Sequence, residues 1–376
     1  MYEVLVIGGG VIGLAIARGV RKAGGGAICI VDEGECGREA SWAAAGMLSA
    51  DVDAHEIDDL HGMCSASRDL YPQLAEELYE ETAIDIQLDR TGTIAVAFGI
   101  KQAAELSKRT SEQTKTGIEV LTLSRRELFE LEPALSLEAT AGALYPNDWQ
   151  VENRKLLAAL RRYADLNALD IRENTRVGRV IINGGRAVGV ETTRGRILAK
   201  RIVIATGAWT SLIKLGDDEM PVTVQPVRGQ MICFDGPQVL RHVVYSPDGY
   251  LVPRFNGRTL AGSTSERAGF DKTLTEDARM GLLEMATRIG PVFAERKVID
   301  QWSGLRPFAE DGLPVIGEIP GISRLFLATG HYRNGILLAP ITARLAAEWL
   351  RQVDRVYFTR FGPDRFARRS ANTGNC

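Results

Sequence analysis

Three glycines stand at positions 8, 10 and 13 of the opening stretch VLVIGGGVIGLAIARGV, and an aspartate follows at position 32. In the pattern Gly8-x-Gly10-x-x-Gly13 the first glycine permits a tight turn. The second lets backbone approach a pyrophosphate, and the third lets a helix pack closely on a strand. A helix starting at Val11 offers unpaired N–H groups and a positive dipole end to phosphates. Asp32 closes the next apolar run, at the spacing where a carboxylate accepts hydrogen bonds from an adenosine ribose, with Glu33 beside it to assist. The alternative role for Asp32 is to cap a turn before Gly34. A carboxylate here disfavours a 2′-phosphate, so NADP is not expected; NAD and FAD both remain open.

The second candidate lies three hundred residues away. Arg306, in GLRP, sits between apolar residues, where an unpaired guanidinium is costly. A substrate carboxylate would match its fork with parallel charge-assisted bonds. A structural ion pair with Glu310 or Asp311 is the competing explanation. Of the histidines, His55, His61 and His242 lie in unremarkable stretches and His331 in HYRNG, so no strong general base is evident. Cys29, Cys36, Cys64, Cys233 and Cys376 form no CxxC and no metal-ligand spacing. No metal is expected, and an odd, scattered set suggests reduced thiols.

These residues need elements to hold them. Val4 to Ile7 suits a buried parallel strand, and Val11, Leu14, Ala15, Ala17 and Val20 give the following helix an apolar face. KAGGGA ends that helix and Ala27 to Val31 reads as a second strand, completing a βαβ unit. TGTIAVAF reads as a strand, and Lys101 to Leu131 is charged with helical spacing. KLLAALRRYA reads as a helix and RIVIATGAW as a buried strand. VQPVRGQMICF, YLVPRF and TLAGSTS supply a further β-rich region.

A chain of 376 residues predicts two domains, and the alternation of texture predicts that they interleave. The fold class is α/β, an α+β two-domain arrangement. A Rossmann-type nucleotide domain is expected from 1–80, 141–215 and 298–376, with a β-rich substrate domain from 81–140 and 216–297. A formal charge of -3 gives no electrostatic reason for a nucleic-acid partner. The basic end RFGPDRFARRS reads as a solvated tail. No leader precedes the first strand, and Gly, Arg or Pro interrupts each apolar stretch before membrane-spanning length. A cytoplasmic chain without a membrane span is expected.

GREASWAAAGMLS, Gly37 to Ser49, favours FAD over NAD, because small residues and one hydroxyl would let a longer cofactor thread past the acidic strand end. Here the chain resembles the glycine oxidase and D-amino acid oxidase group of flavoproteins, with SWAAAGM most similar to the glycine oxidases associated with thiamine biosynthesis. QWSGLRPFAEDGLPVIGEIP, Gln301 to Pro320, and LATGHYRNGILLAPITARLAAEWL, Leu327 to Leu350, resemble the closing elements of that group. From Ala50 to Asp170 only the pattern matches.

The resemblance implies roles. Ile12, Gly13, Asp32 and Glu33, with Gly8 and Gly10, match adenosine and pyrophosphate contacts. Ala40, Ser41, Ala45, Gly46 and Met47 match the pyrophosphate and flavin lining, and Val177 in NTRV meets the adenine. His331, Tyr332, Arg333, Asn334, Gly335, Ile336 and Leu337 match the loop and helix start around the flavin's carbonyl edge. Arg306, Tyr250 and Arg333 match substrate-binding positions; for Tyr250 the alternative is a half-buried strand aromatic. Asp32 stands where the group usually has glutamate. Ala40 stands where a hydroxyl residue is common, which leaves Ser41 as the expected phosphate ligand. With no cysteine in the C-terminal flavin blocks, the FAD is expected to be non-covalent.

The implied activity is oxidative deamination of glycine, sarcosine or a small D-amino acid, with O2 as acceptor and a homo-oligomer as a possible assembly. Competing expectations are a dehydrogenase of the same fold, an oxidase of a larger N-substituted glycine, and a flavin module acting on tRNA. An NAD-dependent dehydrogenase would leave SWAAAGM and GHYRNG unexplained.

Overall fold

The computed structural model describes residues 1–54, 57–352 and 359–366. His55, Cys376 and the last residues of the basic tail lie outside the described residues.

The strand Tyr2–Ile7 is paired on both edges, parallel to Ile28–Val31 and to Gly195–Ile204. Its residues alternate between two apolar clusters, Val4 and Val6 on one side, Leu5 and Ile7 on the other. Both faces are covered, which is why the run is β-branched and continuous rather than alternating with polar residues. The parallel set continues outward to Asp170–Arg172 and, on the far side, to Leu325–Thr329. Antiparallel strands Val177–Asn183 and Arg186–Thr192 extend this nine-stranded sheet.

The helix Val11–Lys22 follows the first strand. It buries Ile12 and Ile16 as well as the five expected apolar residues, because helices Asn153–Leu166 and Gly335–Leu350 flank it. Arg18 is buried on it and pairs with Glu77 at 2.6 Å and Glu81 at 2.7 Å, which satisfies its guanidinium. Gly24 takes a positive φ of 87° just beyond the helix, and the Gly25 amide donates to the Val20 carbonyl at 2.9 Å. That is the left-handed termination KAGGGA predicts.

The second sheet has eight strands in the order Val298–Ala309, Val224–Phe234, Thr259–Gly262, Gly249–Pro253, Val243–Ser246, Thr93–Phe98, Ala139–Tyr145 and Leu121–Leu123. Two of the expected segment limits therefore shift. Ala139–Tyr145 pairs with Thr93–Phe98, so a limit at 140/141 cuts through a strand. Val298–Ala309 pairs with Val224–Phe234 along its whole length, although 298 onward was expected with the nucleotide sheet. The charged region after Lys101 divides into helices Gly99–Lys115 and Arg125–Leu131, with the short strand between them. No helix among the described residues is long and apolar enough to cross a membrane.

Candidate active site

The turn after the first strand is set by Gly8, whose φ is 105°. A Cβ on Gly8 would lie 2.4 Å from the Ala205 carbonyl oxygen, and one on Gly13 would lie 1.9 Å from the Gly8 carbonyl oxygen. Neither position has room for a side chain, so helix and strands meet at backbone distance. Gly10 is the N-cap residue and supplies no side-chain cap. The first-turn amides are left for other acceptors. One of them, Val11 N, donates to Ser41 Oγ at 3.0 Å. That hydroxyl thus keeps its proton to give to a further acceptor.

Asp32 holds two loops. Its Oδ2 accepts from the Gly9 amide at 2.7 Å and its Oδ1 from the Gly34 amide at 2.8 Å. The turn-capping alternative is thus part of its role. A carboxylate accepts about four hydrogen bonds, so two lone-pair sites remain. Glu33 beside it is exposed.

A cavity of about 920 Å³ runs from this end of the molecule to the second sheet. Gly8, Gly10, Ile12, Asp32, Glu33 and Val177 line it, as do Ala40, Ser41, Ala45, Gly46 and Met47. His331, Tyr332, Arg333, Asn334, Gly335, Ile336, Tyr250 and Arg306 complete it. Two residues expected at the site do not line it. Gly13 serves the packing just described. Leu337 is 1% exposed in the core, and its carbonyl accepts from Ser67 Oγ at 2.6 Å. Its side chain follows the helix periodicity inward while its neighbours Gly335 and Ile336 reach the cavity.

The helix Gly335–Leu350 points its start at this cavity, with Asn334 as N-cap and no side-chain cap. Its free amides and dipole favour negative charge there. His331 is buried, with Nε2 3.1 Å from Thr342 Oγ1. Burial pulls its pKa down to about 3, so the imidazole is neutral at ordinary pH.

Arg306 stands on the strand Val298–Ala309, opposite Val227. Its Nη1 donates to the Thr264 carbonyl at 3.1 Å and Nη2 to Ser263 Oγ at 2.7 Å. Both acceptors are neutral. No carboxylate pairs with it among the described residues; Asp311 instead binds Arg365 at 2.7 Å, and Glu310 is exposed. The ion-pair alternative is therefore absent here. Tyr250, three strands inward, lies over Gly262, where an added Cβ would come 2.9 Å from the phenol oxygen. Arg333 pairs with Asp53 at 3.3 Å, and that carboxylate raises the guanidinium's pKa.

Sequence reasoning did not single out Asp53, Ser49, Thr206 or Ser263, all of which line the cavity. Thr206 had a signal, since it follows the strand in RIVIATGAW. Ser49 closes the run GREASWAAAGMLS, whose hydroxyl role fell to Ser41, and Asp53 had no signal, because it sits in the stretch where only the pattern matched.

These features fit a long dinucleotide. A glycine turn without side chains lies beside a helix start, and a carboxylate with spare acceptor capacity and a second helix start line the same cavity. Among known proteins, the sequence pattern of the DAO family, described as FAD dependent oxidoreductase, matches residues 3–349. The chain is 37% identical over 361 residues to the glycine oxidase of Geobacillus kaustophilus, covering 95% of this chain and 94% of that one. The bifunctional protein ThiO/ThiG of Trichormus variabilis is 31% identical over 99% of this chain and 56% of its own length. The crystal structure of the Geobacillus kaustophilus glycine oxidase superposes with a TM-score of 0.90 at 34% identity, covering 96% of this chain and 98% of that one. The chain belongs to the DAO family of FAD-dependent oxidoreductases, and its cofactor is FAD.

Proposed function

We propose that this enzyme is an amino acid oxidase that deaminates glycine, sarcosine or small D-amino acids. The observation that carries the reading is Arg306, a guanidinium with only neutral partners among the described residues, lining the same cavity as Asp32 but carried by the other sheet. Such a fork is completed by a carboxylate, and the relatives above are named glycine oxidases.

In this reading Asp32 and Glu33 take the adenosine ribose, and the Val11 helix with Ser41 takes the pyrophosphate. The wall from Ala45 to Met47 and the Gly335 helix start hold the flavin. When bound, FAD would supply a two-electron acceptor for the hydride of the α-carbon, with dioxygen as the final oxidant and hydrogen peroxide as its product. Arg306 and Tyr250 fix the substrate carboxylate, which turns the α-carbon toward the cofactor. Arg333, held by Asp53, closes the pocket with less direct work on the substrate. Among the described residues the one histidine lining the cavity, His331, is neutral and already engaged with Thr342, and Asp53 is paired with Arg333. The amine therefore enters unprotonated, and the enzyme's contribution is orientation and exclusion of water. The resulting imine hydrolyses to the 2-oxo acid and ammonia.

The nine-stranded sheet serves as the cofactor domain and the eight-stranded sheet as the substrate domain. A cytoplasmic setting and a homo-oligomer accord with this reading. The test is anaerobic mixing of the yellow protein with glycine or sarcosine, which should bleach the flavin, and peroxide formation in air. Failure of every small amino acid to bleach it points to a larger substrate; bleaching without reoxidation in air points to a dehydrogenase.

A further inference from the structure

Arg254 follows the strand Gly249–Pro253 and is 7% exposed. Among the described residues no carboxylate pairs with it. Its Nη1 donates to Gln150 Oε1 and to the Val151 carbonyl, both at 3.0 Å. Its Nη2 donates to the Ala45 carbonyl at 2.7 Å and to Asn153 Oδ1 at 3.2 Å. All four acceptors are neutral.

The same network grips the back of the small-residue wall. Asn153 Nδ2 donates to the carbonyls of Ser41 at 2.9 Å and Trp42 at 3.0 Å. Trp302 Nε1 donates to the Ala43 carbonyl at 3.0 Å, and the Val151 amide to the Gly46 carbonyl at 2.9 Å. From Ser41 to Gly46, only the Ala44 carbonyl is left out of this set. The amides of Ala44, Ala45 and Gly46, by contrast, find no acceptor among the described residues, and all three residues line the cavity. A second cation stands behind the same wall. Arg154 has its Cζ 3.6 Å from the Trp42 ring centroid and 4.7 Å from that of Trp302, and it too lacks a carboxylate partner among the described residues.

Neutral acceptors satisfy a guanidinium's hydrogen bonds but leave its net charge uncancelled, and burial makes that charge felt further. Desolvation pulls the Arg254 pKa down to about 10, which leaves it cationic at neutral pH. The carboxylates of Glu152 and Asp89 favour its charge through space but form no ion pair with it among the described residues; a buried charge countered only at a distance suits a place where negative charge arrives from outside the chain. We propose that Arg254 is a positioning residue for the cofactor: it aims the Ala44–Gly46 amides at the flavin and supplies, through that wall, positive charge that favours the reduced, more negative form. This rests on the flavin lying along that wall, as proposed above.

The test compares Arg254→Lys, which keeps the charge, with Arg254→Gln, which keeps a donor without it. Holoenzymes are titrated with sulfite, which adds to oxidised flavin and leaves negative charge on the ring, and their midpoint potentials are measured against reference dyes. Neither readout needs turnover. Arg254→Gln should weaken sulfite binding tenfold or more and lower the potential in step; a tenfold change corresponds to about 30 mV for a two-electron couple. Arg254→Lys should stay within about threefold of the wild type in sulfite affinity. Unchanged sulfite affinity and potential in Arg254→Gln, or an equal drop in both variants, overturns the proposal. If Arg254→Gln is recovered as apoprotein, FAD is titrated back by fluorescence quenching. A tenfold weaker dissociation constant then supports the positioning role, and one within threefold of wild-type apoprotein overturns it. Wild-type protein that holds no flavin would instead sink the oxidase reading itself.

Discussion

The guanidinium of Arg306 fills the space where residue 229 would carry a side chain. A Cβ added to Gly229 would lie 2.2 Å from Nη1, 2.3 Å from Nη2 and 2.4 Å from Cζ. The two residues sit on paired strands, with Gly229 opposite Gly304 and Val227 opposite Arg306. A glycine floor thus lets a long cation lie along the sheet and reach the same cavity as Tyr250.

Arg306→Ala should fold, bind FAD and lose on the order of 3 kcal/mol of carboxylate binding, roughly a hundredfold in KM, as expected for a desolvated charge pair. Arg306→Lys keeps the charge without the planar fork and should fall between the two. Inhibition by acetate or glycolate should weaken in parallel. Steady-state kinetics on the folded holoenzymes decide it: near-normal glycine kinetics in Arg306→Ala would end the carboxylate-anchor role.

Gly13→Leu should yield mostly colourless protein of lowered stability. The Gly8 carbonyl oxygen stands 1.9 Å from the new Cβ, and it is backbone that cannot rotate away. Overpacking of this kind costs about 1–3 kcal/mol or more and moves the phosphate loop as well. The ratio of flavin to protein absorbance, read beside a thermal melt, checks both effects. A stable variant with full flavin content would remove the loop from the cofactor site.

Ser41→Ala removes both the acceptor of the Val11 amide and the hydroxyl proton offered toward the cofactor. One such hydrogen bond is worth about 1 kcal/mol, so the FAD dissociation constant should rise roughly fivefold, with the fold retained. Equilibrium titration of apoprotein with FAD measures this directly, and an unchanged constant assigns the phosphate to another group.

His331 makes stability depend on pH in a known direction. Its pKa is depressed from 6.5 to about 3 in the folded protein. Between those values the unfolded chain binds a proton that the native state refuses, so stability falls as pH falls from about 6.5 toward 3. The contribution is on the order of 3–5 kcal/mol across that window, at 1.36 kcal/mol per pKa unit. His331→Gln retains a partner for Thr342 without titrating, and denaturant melts from pH 7 to 4 should show a shallower decline. Parallel declines in the two proteins would mean that His331 does not titrate as described.

Much of the cofactor end was legible in the sequence because its physics is local. Gly8, Gly10 and Gly13 encode a turn and a close packing within one βαβ unit, and the strand, helix and C-terminal glycines around them follow from short-range periodicity and conformation. Asp32 is fixed by the end of the second strand. Arg306 announces itself as a charge among apolar residues. The tertiary structure alone decided what lies between these points. It removed the ion-pair explanation for Arg306 by giving Asp311 to Arg365, and it moved strands 139–145 and 298–309 to the eight-stranded sheet, because register between distant strands is settled by cross-strand pairing. It brought Asp53 to Arg333 and Arg254 to the carbonyl of Ala45, contacts spanning more than two hundred residues of chain, which no spacing pattern encodes. Local sequence specified the turns and caps; long-range packing chose which guanidinium groups have no ion pair among the described residues, Arg306 and Arg254 among them.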